Sequence, residues 1–166
     1  MSKSKESKNS KSKDKKSDGI KVLQRNKKAF FNYEIVDTIE CGLALVGSEV
    51  KSMKAGMFSF QDSYVKIENG SLFLVNFTIQ PYKESSIFNH KPGRPRRLLC
   101  HKQEIKRLRR KVEEKGFSLV ITQIYLKKNL IKGSLALVRG KTLVDKKNVI
   151  KERDLKREIQ REIRGR

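Results

Sequence analysis

The sequence is poor in the residues from which metal sites, disulfide frameworks and many catalytic sites are built. Among its 166 residues are two cysteines, Cys41 and Cys100, two histidines, His90 and His101, and no tryptophan. Two cysteines are too few for a disulfide framework or a structural zinc site. We interpret both as small, buried or half-buried hydrophobic residues in a reducing compartment, and we expect neither a metal nor a cofactor.

Sequence motifs of the common enzyme classes are also missing. There is no HExxH, CxxC, GxxxxGK(S/T) or GxGxxG segment. A Ser-His-Asp hydrolase needs a histidine base and a partner that orients it, and a metal-dependent nuclease needs a cluster of carboxylates. The acidic residues here are scattered and mostly stand beside lysine or arginine. The sequence therefore indicates that the protein is not an enzyme.

Long hydrophobic runs are absent as well. No stretch of about 18 apolar residues occurs, so we expect no transmembrane span. The N-terminus lacks the apolar core of a secretory signal. We therefore expect a cytoplasmic protein that does not associate with membranes.

Acidic residues are scarce relative to basic ones, with 18 Asp and Glu against 40 Lys and Arg and a formal net charge of +22. Like charges repel in the compact state, so the fold itself gains nothing from this excess. Neutralising phosphates releases condensed counterions, which makes a nucleic acid the simplest partner. The charge is spread along the chain rather than confined to one amphipathic helix. This favours a nucleic acid over a membrane surface or a charge that only maintains solubility.

Composition divides the chain into three parts. Residues 1–25 alternate serine with lysine and cannot bury enough apolar surface to offset the entropy of ordering, so we predict a disordered basic arm. Residues 26–144 contain short apolar runs separated by turn residues and form the predicted RNA-binding domain. Residues 145–166 form a basic tail with a thin apolar stripe. Because isolated helices of this length are marginal, we expect the tail to become helical on contact with its partner, with a permanently docked helix as the alternative.

Within the domain, the pattern predicts a mainly β fold with peripheral helices. The strands and helices do not alternate as in βαβ units, which favours a closed or nearly closed antiparallel β-barrel. Asn69-Gly70 is a strong hairpin signal, because both turn residues tolerate positive φ. Gly116 is predicted to end the clearest helix. Tyr33–Thr38 and Gly42–Val46 are predicted to form two strands or one strand bent around Cys41-Gly42. The other predicted strands are Asp62–Ile67, Leu72–Phe77, Phe117–Leu126 and Ile131–Val138, and the predicted helices lie between Gly47 and Gly56 and over His101–Lys115.

Basic residues crowd the segment from Lys91 to Lys111, where Glu104 is the single acid. Arginine offers a planar fork for phosphate oxygens. We predict phosphate contacts for Arg94, Arg96 and Arg97, which follow prolines that limit their freedom. For the helical part of the segment, a solvated helix face remains the alternative.

Aromatic residues in barrel-type RNA binders stack on unpaired bases. Most of the aromatic residues here are better explained as core. Tyr64 is a plausible base contact, with a core position as the alternative.

Five segments carry a resemblance to a known family. They are NKKAFFNYEI, IECGLALVGSEVKSMKAG, FQDSYVKIENG, PRRLLCHKQEIKRL and VRGKTLVDKKNVIKERD. In this order they resemble successive blocks of the SsrA-binding protein family (small protein B), from Asn26 to the C-terminus. The resemblance implies a barrel akin to the oligonucleotide-binding (OB) fold. It also implies binding to the tRNA-like domain of transfer-messenger RNA, support of its aminoacylation and of its delivery by elongation factor Tu, and rescue of stalled ribosomes by trans-translation. The elongation factor would be reached only through the RNA.

The resemblance also assigns RNA-contact positions to Glu40, Leu99 and Lys132, and we add Asn26 and Lys27 from the first block. A carboxylate beside a polyanion makes sense if Glu40 accepts a hydrogen bond from a base or holds a basic side chain in place, and a solvated surface glutamate is the alternative. Leu99 would contact a base or ribose, with core packing as the alternative. Lys132 lies opposite the apolar face of its strand and suits a phosphate.

For the tail, the resemblance implies entry into the decoding centre and the empty messenger channel of the ribosome, where the tail is helical. Two positions depart from the family pattern. Lys147 stands where arginine is common, and Val144, which cannot stack on a base, stands where an aromatic residue or histidine is frequent. The tail residues assigned to this role are Arg139, Gly140, Lys141, Asp145, Lys146, Lys147, Lys151 and Arg153.

Two other functions fit the charge and the tails. A constitutive ribosomal or ribosome-assembly protein would thread the same basic segments permanently through ribosomal RNA. A DNA-binding protein is a weaker alternative, because it would require duplex DNA to compete equally with structured RNA.

Overall fold

The computed structural model describes residues 19–84 and 89–164 and contains nine strands and four helices in these ranges. None of these helices has the length and apolar composition needed to span a bilayer. The strands are β1 (Ile20–Arg25), β2 (Tyr33–Leu43), β3 (Phe58–Ser59), β4 (Tyr64–Glu68), β5 (Ser71–Val75), β6 (Thr78–Ile79), β7 (Arg96–Leu99), β8 (Ser118–Lys127) and β9 (Leu130–Gly140). The helices are α1 (Lys27–Asn32), α2 (Gly47–Lys54), α3 (Lys102–Lys115) and α4 (Leu143–Arg164).

Seven strands form one antiparallel sheet in the order β1-β8-β9-β2-β7-β5-β4, and β3 pairs with β6 in a separate ribbon. Within the described residues the edge strands β1 and β4 are not hydrogen-bonded to each other, although β4 lies against β8. The sheet therefore curls around the core without closing. The predicted mainly β, OB-like fold with peripheral helices is confirmed, as a curled sheet rather than a closed barrel.

Two tight hairpins fix the register of the sheet. Asn69 and Gly70 join β4 to β5 with φ of 47° and 68°, as their residue types predicted. Lys128 and Asn129 join β8 to β9 with φ of 50° and 64°. A period of two along a strand then decides which side chains face the core.

Strand β2 is continuous, where the sequence left open two strands or one bent strand. A register shift between Ile35 and Asp37 interrupts its long pairing with β9, as a β-bulge does. Beyond the shift, Cys41 and Leu43 face the core, and Glu40 and Gly42 face outward. The centre of the sheet therefore presents two different surfaces.

Helix α3 covers the core as predicted. Ile105 and Leu108 are buried on its inner face, and Val112 packs against the same cluster. Gly116 follows the helix with φ of 61°, a left-handed conformation that glycine adopts without strain. The basic residues of α3 consequently lie on its outer side.

Strand β1 corrects the predicted extent of the N-terminal arm. Ile20–Arg25 pair with β8 from Lys127 to Gln123, so disorder was wrongly predicted for these residues. The prediction counted apolar side chains, whereas the edge of β8 binds the segment through backbone hydrogen bonds, and Leu23 packs on the core. Residues 1–18 lie outside the described ranges.

A buried charge network joins α2 to β7. Glu49 is inaccessible to solvent and accepts hydrogen bonds from Arg94 Nε (2.8 Å), Arg96 Nε (3.1 Å) and the Val46 amide (3.0 Å). Arg96 also donates to the Phe77 carbonyl and, at 2.7 Å, to the Pro92 carbonyl. Burial raises the pKa of Glu49, but the hydrogen bonds from Arg94 and Val46 and the charge of Arg96 outweigh it and leave the pKa below its ordinary value. The network therefore ties the loop that contains Pro92 to the sheet.

Replacing Glu49 with glutamine is expected to destabilise the fold by about 3–5 kcal/mol, because it leaves the Arg96 charge buried and unpaired. Denaturant unfolding near neutral pH measures the loss. Since the folded-state pKa of Glu49 lies below 4.5, its contribution is complete above that pH and is lost as the pH falls through the folded-state pKa.

The matched control is Glu113→Gln, which breaks an exposed pair between α3 residues, Arg109 Nε and Glu113 Oε1 at 2.7 Å. Exposed pairs contribute about 1 kcal/mol or less. An equal loss in both variants would show that the buried network is not special.

Candidate nucleic-acid interface

The three residues assigned by resemblance lie together on the outside of the sheet. In the register of β9, β2 and β7, Gly42 is paired with Lys132 on one side and with Leu99 on the other. Glu40 lies two residues before Gly42 and shares its outward face. We call this surface the outer sheet face and define it by Glu40, Gly42, Leu99, Tyr125, Lys127 and Lys132.

Glu40 anchors two cations of the outer sheet face. Its carboxylate accepts hydrogen bonds from Tyr125 Oη (2.7 Å), Lys127 Nζ (3.2 Å) and Lys132 Nζ. The hydrogen bonds from Lys132 and Tyr125 lower the pKa of Glu40 to about 2, although its side chain is 39% exposed. Burial and the same carboxylate raise the pKa of Tyr125. Glu40 is thus an ionised, hydrogen-bonded carboxylate that holds basic side chains in place, and not a free surface glutamate.

Leu99 supplies an apolar platform beside these cations. It is 53% exposed, so the alternative of core packing is wrong. A Cβ atom built on Gly42 would lie 3.4 Å from the Leu99 Cβ, which shows that the Leu99 side chain lies across the glycine. Glycine at position 42 therefore leaves room for an exposed leucine in the middle of the sheet.

A groove of about 810 Å³ opens beside Leu99. Its wall continues the outer sheet face with the exposed Arg97 and Lys102, and with the half-buried Cys100. Apolar surface and cations thus line one concave site, the combination that accepts a base or ribose together with its phosphate.

Arg96 and Asn26 are corrections to the predicted contact set. The Arg96 side chain is 0% exposed, so it is not available to a phosphate, and its role is the ion pair with Glu49. Asn26 is 6% exposed and serves as the N-cap of α1: it accepts from the Ala29 amide at 3.1 Å and donates to the Ile121 carbonyl at 3.1 Å. The residue types and sequence positions of Arg96 and Asn26 suggested that their side chains are exposed to solvent. In the folded structure, packing buries both of them.

The other predicted contacts occupy different places. Arg94 is partly exposed while it is paired with Glu49, and Lys27 is exposed at the start of α1. Tyr64 is exposed on the edge strand β4, so a core position is excluded. It lines a second cavity of about 780 Å³ with Lys28 and Arg109, apart from the outer sheet face.

Tyr125 and Lys127 were missed from the sequence. They alternate with Ile124 and Leu126 along β8, and this period of two places them opposite the core. The alternation could have identified their face. Their partner Glu40 could not be found that way, because it lies on another strand.

The tail begins with a capped helix. The Thr142 amide donates to Asp145 Oδ2 at 3.1 Å, and the Asp145 amide donates to Thr142 Oγ1 at 3.3 Å. This reciprocal capping box starts α4 at Leu143. The hydroxyl of Thr142 lowers the pKa of Asp145. Asp145 thus has a helix-capping role that the Thr-x-x-Asp spacing encodes.

Contacts just before its start and near its middle hold α4 against α1. The Lys141 amide donates to the Asn32 carbonyl at 3.0 Å, and the Arg153 guanidinium lies 5.4 Å from the centre of the Phe31 ring. Farther along, Leu155 and Ile159 are exposed. The predicted helical conformation of the tail agrees with the structure, and its formation only on contact with a partner stays a prediction.

The remaining tail residues are accessible. Arg139 extends from β9 and pairs with Glu34 at 2.9 Å. Gly140, Lys147 and Lys151 are exposed, and Lys146 is half-buried. In residues 19–84 and 89–164, no group of three or more His, Cys, Asp or Glu side chains could hold a metal ion.

Removing a donor is expected to raise the pKa of Glu40 from about 2 towards its ordinary 4.5. NMR titration of the side-chain carboxyl in Lys132→Ala and Tyr125→Phe measures this shift. The control is Lys54→Ala, an exposed lysine on α2. A Glu40 pKa near 4.5 in the unmodified protein would contradict the anchoring role.

Comparison with known proteins agrees with this architecture. A family model described as SmpB protein matches residues 23–165. The SsrA-binding protein of Treponema denticola is 50% identical over 145 residues, covering 87% of this chain and 94% of its own length. That of Aquifex aeolicus is 48% identical over 151 residues, covering 90% and 96%.

A solved structure agrees as well. It is described as "tmRNA-SmpB: a journey to the center of the bacterial ribosome", and one of its chains matches with a TM-score of 0.61 and 45% identity over 72% of this chain and 85% of its own. The family match, the identities and the shared fold all point the same way, and the chain belongs to the SsrA-binding protein family.

Proposed function

We propose that this protein binds transfer-messenger RNA through the outer sheet face and brings it to stalled ribosomes. The observation that carries the proposal is the row Lys132–Gly42–Leu99, with Glu40 holding the lysine. Relatives of nearly the same length are named for binding SsrA, and a structural relative is described together with tmRNA and the bacterial ribosome. These findings support an RNA-binding adaptor rather than an enzyme.

The outer sheet face combines a charged group for a phosphate with an apolar side chain for a base or ribose. An ammonium group has three donors, so Lys132 can keep its bond to Glu40 and still donate to a phosphate. Because Glu40 already orders the lysine, less side-chain entropy is lost on binding. Leu99 packs against a ribose or an unstacked base, the contact typical of single-stranded loops in structured RNA.

The tail acts at a distance from the RNA-binding face. With 22 residues, α4 is about 33 Å long. The capping box sets its first turn, and the contact between Arg153 and Phe31 sets its direction from the domain. If this helix lies in a channel lined by phosphates, the exposed Lys147 and Lys151 can contact those phosphates. We propose that this helix enters the decoding centre and the empty messenger channel, and that elongation factor Tu is engaged only through the RNA.

A constitutive ribosomal protein would use the same charge and the same projecting helix. Sedimentation of ribosomes in high salt separates the two functions. A rescue adaptor leaves the subunits, because its binding is dominated by counterion release. A structural component stays with the subunits.

Leu99→Ala is expected to weaken transfer-messenger RNA binding by about 1–2 kcal/mol, because the apolar surface that Leu99 buries against a base or ribose is lost. Lys132→Ala is expected to weaken it as well and to reduce the salt slope of the logarithm of the affinity by about one, because one phosphate contact is lost. The affinity of each variant is measured from about 50 to 200 mM salt, a range over which phosphate contacts lose affinity. An elongator tRNA and duplex DNA serve as competitors.

The matched controls remove similar groups elsewhere. Lys54→Ala deletes an exposed lysine on α2, and Val36→Ala deletes exposed apolar surface on β2. Both should bind like the unmodified protein. Equal losses in controls and test variants, or equal binding to all three nucleic acids, would refute a specific site.

Deleting residues 145–166 is expected to leave RNA affinity within a few-fold and to abolish rescue, because the outer sheet face lies wholly in the preceding domain. Tagging of a nascent chain on a ribosome stalled without a stop codon measures rescue. Leu99→Ala in the full chain is the counterpart, since it should weaken RNA binding while leaving the tail intact.

Loss of RNA binding in the truncated protein would show that the tail belongs to the RNA-binding surface. Rescue by the truncated protein would remove the tail from the mechanism.

A further inference from the structure

The two cysteines occupy directly opposed positions on neighbouring strands. Gly42 pairs with Leu99 and Leu43 with Leu98, and the same register sets Cys41 opposite Cys100. The Ala44 amide donates to the Arg97 carbonyl at 2.9 Å, which marks that pair as hydrogen-bonded. Pair types alternate along an antiparallel ladder, so Cys41 and Cys100 form a non-hydrogen-bonded pair with Cα atoms about 4.5 Å apart. A disulfide requires a separation in this range.

The two thiols differ in accessibility. Cys41 is 1% exposed, and its Sγ donates to the Gly133 carbonyl at 3.3 Å. Gly133 provides the space for this sulfur, since a Cβ atom there would lie 3.5 Å from it. Cys100 is half-buried and lines the groove beside Leu99, where a small solute has access. One thiol is therefore open to a reagent and the other lies behind it.

The two thiols also differ in pKa, and the more accessible thiol has the lower value. Hydrogen bonding with Cys41 lowers the pKa of Cys100. The same interaction, together with burial, raises the pKa of Cys41. Since the thiolate is the nucleophile, Cys100 is the sulfur that reacts first and Cys41 is the one positioned to resolve the product.

We propose that Cys41 and Cys100 are a reversible oxidation site, which forms an intramolecular disulfide when the protein meets a peroxide. The Cys100 thiolate attacks the peroxide, so that an S–O bond forms, the O–O bond breaks and hydroxide leaves, to be protonated to water. Cys41 sulfur then attacks the resulting sulfenic acid. An S–S bond forms, the S–O bond breaks, and the departing oxygen leaves as water with the Cys41 proton. Two thiols are oxidised, one peroxide becomes two waters, and a dithiol reductant reverses the change.

The site lies directly behind the outer sheet face. Glu40 precedes Cys41, Leu99 precedes Cys100, and Lys132 precedes Gly133. A disulfide draws the two Cβ atoms to about 3.8 Å, closer than the 4.5–5.5 Å of an ordinary opposed pair. It also ends the Cys41 bond to Gly133. The Leu99 side chain lies across Gly42, where an added Cβ atom would be 3.4 Å from the Leu99 Cβ, so an approach of β2 and β7 shifts this side chain. Oxidation therefore weakens RNA binding, a consequence that rests on the proposed function.

The test of the site uses the full-length protein, treated with hydrogen peroxide, alkylated under denaturing conditions and mapped by peptide mass spectrometry. The expected product is a monomer with a Cys41–Cys100 disulfide that dithiothreitol reverses. Cys41→Ala should stop at oxidised Cys100, and Cys100→Ser should not react. Two alkylated thiols after peroxide, a sulfinic acid at Cys100 as the main product, or a disulfide between chains would each overturn the site.

The test of its consequence compares transfer-messenger RNA affinity of reduced and oxidised protein. We expect a reversible loss of about fivefold or more, and none in Cys100→Ser after the same treatment. Unchanged affinity in fully disulfide-bonded protein would overturn the regulatory role. If neither form binds the RNA, the proposed function fails, while the peptide map still decides the oxidation site.

Discussion

The register of strand β2, at the centre of the sheet, specifies both the hydrophobic core and the candidate interface. This strand pairs with β9 on one side and β7 on the other, and so joins the β1-β8-β9 part of the sheet to the β7-β5-β4 part. Its alternation sends Cys41 and Leu43 into the core and Glu40 and Gly42 to the outside. A shift of one residue would exchange these two sets. The hydrophobic core and the candidate interface are therefore specified by the same register.

Several of the few acidic residues form ion pairs that fix basic side chains in place. Glu49 neutralises Arg96 in the interior, and Asp37 on β2 pairs with Arg107 and, at 3.3 Å, with Lys111 on α3. Glu40 does the same at the surface. In a chain with a net charge of +22, each of these carboxylates lowers local repulsion and fixes a cation in one place. A preordered cation loses less entropy when it meets a phosphate.

Much of the fold was predictable because its signals are local. Asn69-Gly70 requires a turn that only a few residue types tolerate, and Gly116 ends a helix whose apolar face was evident from its spacing. Strand β1 was not predicted, since its order comes from pairing with β8, a strand far away in the sequence. Helix α1 was missed for a similar reason: its cap, Asn26, is held by backbone groups of β8.

Composition and short-range patterns were enough to predict the charge of the protein, its β-rich class and the family to which it is similar. Which of the basic residues are available to RNA depends instead on the folded structure. Arg96 and Arg97 are neighbours of the same type, yet the first is buried against Glu49 and the second is exposed beside Leu99. It also brought Glu40, Leu99 and Lys132 together and set Cys41 against Cys100. The physical reason is that strand pairing joins residues far apart in the chain, and burial then selects which side of each strand meets the solvent.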